Sequence, residues 1–235
     1  MSNIIETIVT VVIGTITGIS RTITQSVEGI QDFFLVRVSG VPFIVLGARQ
    51  VGKTTMIEWL RRNMDTIDDF DPEPTASGGD AVDDFTSRMD GNAMKLKPNR
   101  DVGGETAMWE TDWIELFREA QPRGVIFIID HSDPYVQKDA LNFTMQMIED
   151  EPEAAKGLEA FFILVNKADL WEGETSIQEI ESYFKNEKKR LANLADRVGF
   201  KWAMAPGSLM TGRGVRPFIK QFFNTIRPSP KRLSQ

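Results

Sequence analysis

Gly47-Ala48-Arg49-Gln50-Val51-Gly52-Lys53-Thr54 spaces two glycines, a lysine and a hydroxyl in the pattern GxxxxGK[ST]. In that pattern the glycines let main-chain N–H groups close around a phosphate at a helix N-terminus. Lys53 supplies a point charge to the β- and γ-phosphates, and the Thr54 hydroxyl, with Thr55 beside it, is the type of group that ligates Mg²⁺. A second cluster, Asn166-Lys167-Ala168-Asp169, places a carboxylate directly after an apolar run. A carboxylate there accepts two hydrogen bonds from guanine, through N1–H and the 2-amino group. Adenine lacks that donor pair and leaves the acid unpaired, so the residues select GTP and GDP over ATP.

These groups must be carried by elements that bring them together. Continuous apolar runs at Phe43–Leu46, Val125–Asp130 and Phe161–Val165 read as strands buried on both faces, with another near Lys201–Ala205. Helices are expected at about 53–63, 106–120, 135–150, 177–197 and 215–226. That alternation predicts an α/β fold, a mostly parallel central sheet with helices on both faces, and Gly47–Thr54 after its first strand makes the expected fold that of a P-loop NTPase. Both clusters then follow strands, at the carboxyl edge where open α/β sheets bind ligands. Residues 64–100 read as a long acidic stretch with two weak edge strands, Val82–Ser87 and Ala93–Lys97. Pro98 cannot donate in a ladder, so the strand before Asp101 must be at an edge or broken.

The domain spans 37–228, preceded by an amphipathic helix within 1–36 and followed by a loose basic tail, 229–235. Ile4, Ile8, Val12, Ile16, Ile19, Ile23, Val27, Ile30 and Phe34 form the apolar stripe of that helix. Its uncharged run between Glu6 and Arg21 is 14 residues, short of the ~20 a spanning helix needs. It suits a membrane surface, its own domain or a second copy. There is no cysteine, which excludes disulfides and thiolate chemistry, and the single His131, read as loop structure, excludes histidine clusters. With a net charge of −7, nucleic acid is not an expected partner. A cytoplasmic chain, peripheral on the cytoplasmic face of a membrane, fits these features.

Taken with Asp101-Val102-Gly103-Gly104, Ile126-Phe127-Ile128-Ile129-Asp130 and Leu164-Val165 before Asn166, the two clusters resemble the Ras superfamily of small GTPases. The nearest branch is the Arf-like and signal-recognition-particle-receptor-β one, over roughly 38–226. The resemblance implies a GTP/GDP switch with Mg²⁺, slow hydrolysis and an effector at switch II. It implies Thr54, Thr75 and Asp101 around the metal, with Thr66 and Thr86 as rivals of Thr75, and the Gly104 amide facing the γ-phosphate. Ser208, Leu209 and Met210 resemble the last guanine-contacting loop, with Leu209 where alanine is usual. Ser2 stands where that branch carries a myristoylated glycine.

Two residues depart from the family pattern. Glu105 holds the position of the catalytic glutamine, and Arg49 replaces a small residue close to the γ-phosphate position. The two are expected to pair when that position is vacant and to separate when GTP arrives. They admit a second reading, a scaffold with structural nucleotide and negligible hydrolysis. Trp109, Trp113 and Phe117 recur every four residues and share a helix face; Trp113 and Phe117 are the expected core residues and Trp109 the mobile one at the effector surface.

Overall fold

The computed structural model describes residues 40–62, 75, 79–89 and 92–227. The N-terminal amphipathic segment, the basic tail and the switch I rival Thr66 lie outside the described residues.

Among the described residues eight strands appear, β1 (Val41–Leu46), β2 (Asp80–Ala81), β3 (Phe85–Met89), β4 (Asn92–Lys97), β5 (Arg100–Asp101), β6 (Gly124–Ile129), β7 (Ala160–Val165) and β8 (Lys201–Pro206). Six of them form one sheet in the order β3-β4-β1-β6-β7-β8, while β2 and β5 make a separate ribbon. Pairing is parallel throughout the large sheet except between β3 and β4. Every residue of β6 and β7 is buried, so both faces are covered. Helices α1 (Lys53–Arg61), α2 (Thr106–Met108), α3 (Ile114–Ala120), α4 (Pro134–Asp150), α5 (Pro152–Ala155), α6 (Ala168–Trp171), α7 (Ile177–Tyr183), α8 (Lys185–Val198) and α9 (Val215–Ile226) complete the described chain. Phe43 of β1 meets Phe222 and Phe223 of α9 edge-on, with ring centroids 6.4 and 5.2 Å away. These aromatic contacts tie the last helix to the first strand. No helix among the described residues is long and apolar enough to cross a membrane.

Three expectations need correction. The strand 93–97 is not an edge: β4 lies between β1 and β3, and β3 takes the edge. Pro98 does break the strand. The chain turns at Asn99, whose φ is 66°, and Arg100–Asp101 pairs with Asp80–Ala81 instead. The helix expected over 106–120 contains a π-helical turn, Trp109–Trp113. The one expected over 177–197 is split at Phe184, whose side chain is buried, into α7 and α8.

The order β4-β1-β6 makes β1 a point where successive strands part to either side. A crevice opens there beyond the carboxyl ends, and the phosphate-type loop leaves β1 into it.

Candidate nucleotide site

Between β1 and α1 the backbone bends sharply enough to force Gln50 to φ 62° and Gly52 to φ 108°. A Cβ on Gly52 would stand 2.6 Å from Asn166 Nδ2, so glycine is required by both conformation and space. No side chain caps α1 at Gly52, which leaves its first amides available to an anion. Lys53 is buried and donates from Nζ to the Ala48 carbonyl at 2.9 Å. Burial brings its pKa down from 10.5 to about 8, although the Asp101 carboxylate pulls the other way.

Thr54, Thr75 and Asp101 come together from three separate segments. Thr54 Oγ1 donates to Asp101 Oδ2 at 2.5 Å, Thr75 Oγ1 reaches the same oxygen at 3.1 Å, and the two hydroxyls are 3.5 Å apart. Burial raises the Asp101 pKa against the opposing bonds from Thr54 and charge of Lys53. Its Oδ1 is buried and has no hydrogen-bond partner among the described residues. Three hard oxygen donors with one unmet carboxylate oxygen fit a small divalent cation. Thr86 stands in β3 opposite Lys95, in the ladder and not in this cluster.

The base half is built on Asn166. Its Nδ2 donates to Val51 O at 2.8 Å, its Oδ1 accepts from Leu209 N at 3.0 Å, and its carbonyl accepts from Trp171 Nε1 at 2.8 Å. One buried side chain therefore fastens the phosphate loop to the loop after β8. Lys167, at φ 60°, extends to Asp130 Oδ2 at 2.6 Å. Asp130 is buried, which by itself would raise its pKa, but bonds from Lys167 and Ser132 outweigh that and hold it below the usual carboxylate range. Asp169 is exposed and faces the cleft.

These parts line one cleft of about 420 Å³, the size range of small-molecule sites. Arg49, Gln50, Gly52, Lys53, Thr54, Thr55, Thr75, Gly104, Glu105, Asn166, Lys167, Asp169, Leu209 and Met210 all border it. Gly47, Ala48, Val51, Asp101 and Ser208 stand behind it: Ala48 and Val51 supply carbonyl anchors, and the buried Ser208 Oγ accepts from Thr211 N. Sequence reasoning missed Leu170, which borders the cleft and is 62% exposed, and the anchoring roles of Asp130 and Trp171. Adjacency to Asp169 was the available signal for Leu170; nothing local marked the other two.

At the far end, Gly104 presses on the phosphate loop: a Cβ there would lie 2.4 Å from Ala48 C and 2.5 Å from Arg49 N. Two indoles hold this loop from behind, Trp109 Nε1 to Gly104 O at 3.2 Å and Trp113 Nε1 to Gly103 O at 2.8 Å. Trp109 is therefore not the exposed partner of a buried Trp113. It is only 4% exposed, its ring tilted against Trp113 and Phe143 at centroid distances of 5.4 and 5.8 Å. Arg49 Nη1 lies 3.3 Å from Glu105 Oε1. The expected pairing of these two side chains is present, and in the same structure Thr75 lies on Asp101.

The family model for ADP-ribosylation factors matches residues 34–226, the greater part of the chain. Among curated proteins, none matches it.

Proposed function

The chain belongs to the ADP-ribosylation factor family of small GTPases, and from that premise we propose that it is a slow GTP-hydrolysing switch using Mg²⁺. One observation carries the reading. Asn166 bonds Val51 on one side and Leu209 on the other, so the phosphate half and the base half of the cleft form a single continuous site. Lys53 and the α1 amides would hold the phosphates, and Asp169 would accept from guanine. Thr54, Thr75 and Asp101 would hold the metal, whose chemistry is to neutralise charge between the phosphates. Hydrolysis should be slow because Glu105 brings a carboxylate, repelled by phosphate, where a neutral amide would orient water.

Effector recognition would fall on the exposed residues around switch II, Glu105, Thr106, Ala107, Glu110 and Thr111, with Trp109 acting from beneath through Gly104. Residues 2–34 would attach the chain to a membrane surface on its cytoplasmic face, or to a second copy.

The test is equilibrium binding of GTP, GDP, ATP and xanthosine triphosphate, with GTP turnover at millimolar Mg²⁺. Guanine nucleotides should bind and ATP should not. Asp169→Asn should weaken GTP by ~2–4 kcal/mol and improve the xanthine nucleotide, because an amide donates where the carboxylate only accepts. Equal binding of ATP and GTP by the wild type would sink the assignment.

A further inference from the structure

Arg49 and Glu105 sit on different loops and meet over the phosphate end of the cleft. The arginine rides on the loop between β1 and α1, which is fixed at both ends by regular structure. Glu105 is the N-cap residue of α2, yet its side chain makes no capping bond. That carboxylate is directed instead at Arg49, 3.3 Å away. The distance holds only while Gly104 lies against Ala48 and Arg49, where even a Cβ would not fit. In the same arrangement Thr75 reaches Asp101 at 3.1 Å. The ion pair and the Gly104 contact therefore belong to one closed state of the two loops, and Thr75 lies on Asp101 in that same state.

We propose that Arg49–Glu105 is a latch that favours this closed state and so raises the preference of the site for GTP over GDP. This rests on the switch reading above, in which the triphosphate needs both loops closed and the diphosphate does not. A contact present in one state and absent from the other shifts the balance by its full differential strength. The two side chains are 58% and 50% exposed, so the strength is that of a solvated pair. That corresponds to a GTP/GDP affinity ratio changed by about two- to five-fold.

The sign separates a latch from plain electrostatics. If each charge acted only on the terminal phosphate, removing Arg49 would weaken GTP and removing Glu105 would strengthen it. A latch predicts the same direction for both, because either loss opens the pair. The experiment measures competition between GDP and a hydrolysis-resistant GTP analogue on the full chain at millimolar Mg²⁺. The variants are Arg49→Ala, Glu105→Ala, Glu105→Gln and the reversed double variant Arg49→Glu/Glu105→Arg. All three single variants should lower the GTP/GDP ratio, the reversed pair should restore it, and 1 M salt should shrink the differences. Thermal melts matching the wild type show each variant to be folded. Opposite signs for Arg49→Ala and Glu105→Ala, a flat ratio, or no recovery in the reversed pair would each overturn the latch while leaving the switch reading intact. A wild-type chain that binds neither nucleotide removes both.

Discussion

Asn166→Ala is the most informative single substitution, because it should damage nucleotide binding without altering which nucleotide is preferred. The side chain is 4% exposed and joins two main-chain groups, Val51 O and Leu209 N, on residues that are themselves buried. Truncation leaves one acceptor and one donor without these partners, each worth ~1–3 kcal/mol when buried and unmet. The vacated space can admit a water that partly satisfies them, so the lower end applies. About 2 kcal/mol in total is lost from the fold, and because binding must then re-align the two freed loops, the loss of affinity reaches at most roughly thirty-fold. Asn166→Asp should be no milder: it keeps an acceptor for Leu209 N but turns an oxygen toward Val51 O, 2.8 Å from the present nitrogen. The assay is equilibrium titration with fluorescent GDP and a GTP analogue, alongside thermal melts. Both nucleotides should weaken alike, and the ratio of guanine to hypoxanthine nucleotide should stay where it was, since Asp169 is untouched. A loss below three-fold, or one confined to the triphosphate, would refute the idea that Asn166 couples the two halves.

Two further outcomes are expected. Burial holds Lys53 at about 8, so the unliganded chain sheds this proton above pH 8 while phosphate favours keeping it; nucleotide affinity should fall above pH 8, with proton uptake visible as a buffer-dependent heat of binding. The unliganded fold should gain stability over the same range, because unfolded Lys53 keeps its proton to its ordinary value of 10.5, and an affinity flat from about pH 7 to 9.5 would contradict this placement of the ammonium. Trp109→Phe removes the donor to Gly104 O while keeping an aromatic ring, so most of the fluorescence difference between GDP and GTP states should vanish. Trp171, bonded to Asn166 O, should respond to either nucleotide alike, and a GDP/GTP difference that survives in Trp109→Phe would place the moving tryptophan elsewhere.

How much of this was legible depends on whether a feature is local. The buried strands read directly from Phe43–Leu46, Val125–Asp130 and Phe161–Val165, because a parallel strand covered on both faces must be apolar throughout. The loops after them carried their chemistry in fixed short spacings. What escaped was set by contacts between distant segments. Trp109 looks like Trp113 in sequence, spaced for one helix face, but the carbonyls of Gly103 and Gly104 draw both indoles inward across a π-helical turn. No local preference announces that turn. Likewise the strand 93–97, set in a long acidic stretch and followed by Pro98, reads as an edge, yet Met94 and Leu96 are buried and β4 lies between β1 and β3. Asp130 ends a strand like any terminal acid until Lys167, from the next strand's loop, arrives on it.

The ties that hold the cleft are unequal, and the inequality follows the ligand. Around the base they are buried: Asn166 to two loops, Trp171 to Asn166, Lys167 to an acid at 1% exposure. Bonds of that kind resist local opening, because breaking them strands polar groups away from water. Around the terminal phosphate the links between loops are a solvated ion pair and the Thr75 hydroxyl on Asp101. The ion pair opens at little loss. The two indole bonds from Trp109 and Trp113 do not change this, since they fasten Gly103 and Gly104 to their own following helix and not to the phosphate loop. The effect is to make switch II and the tryptophan turn one body, able to leave the phosphate loop together. In the proposed switch, GDP and GTP would share the rigid end and differ at the loosely tied one, so a single phosphate would be read where the structure yields most easily.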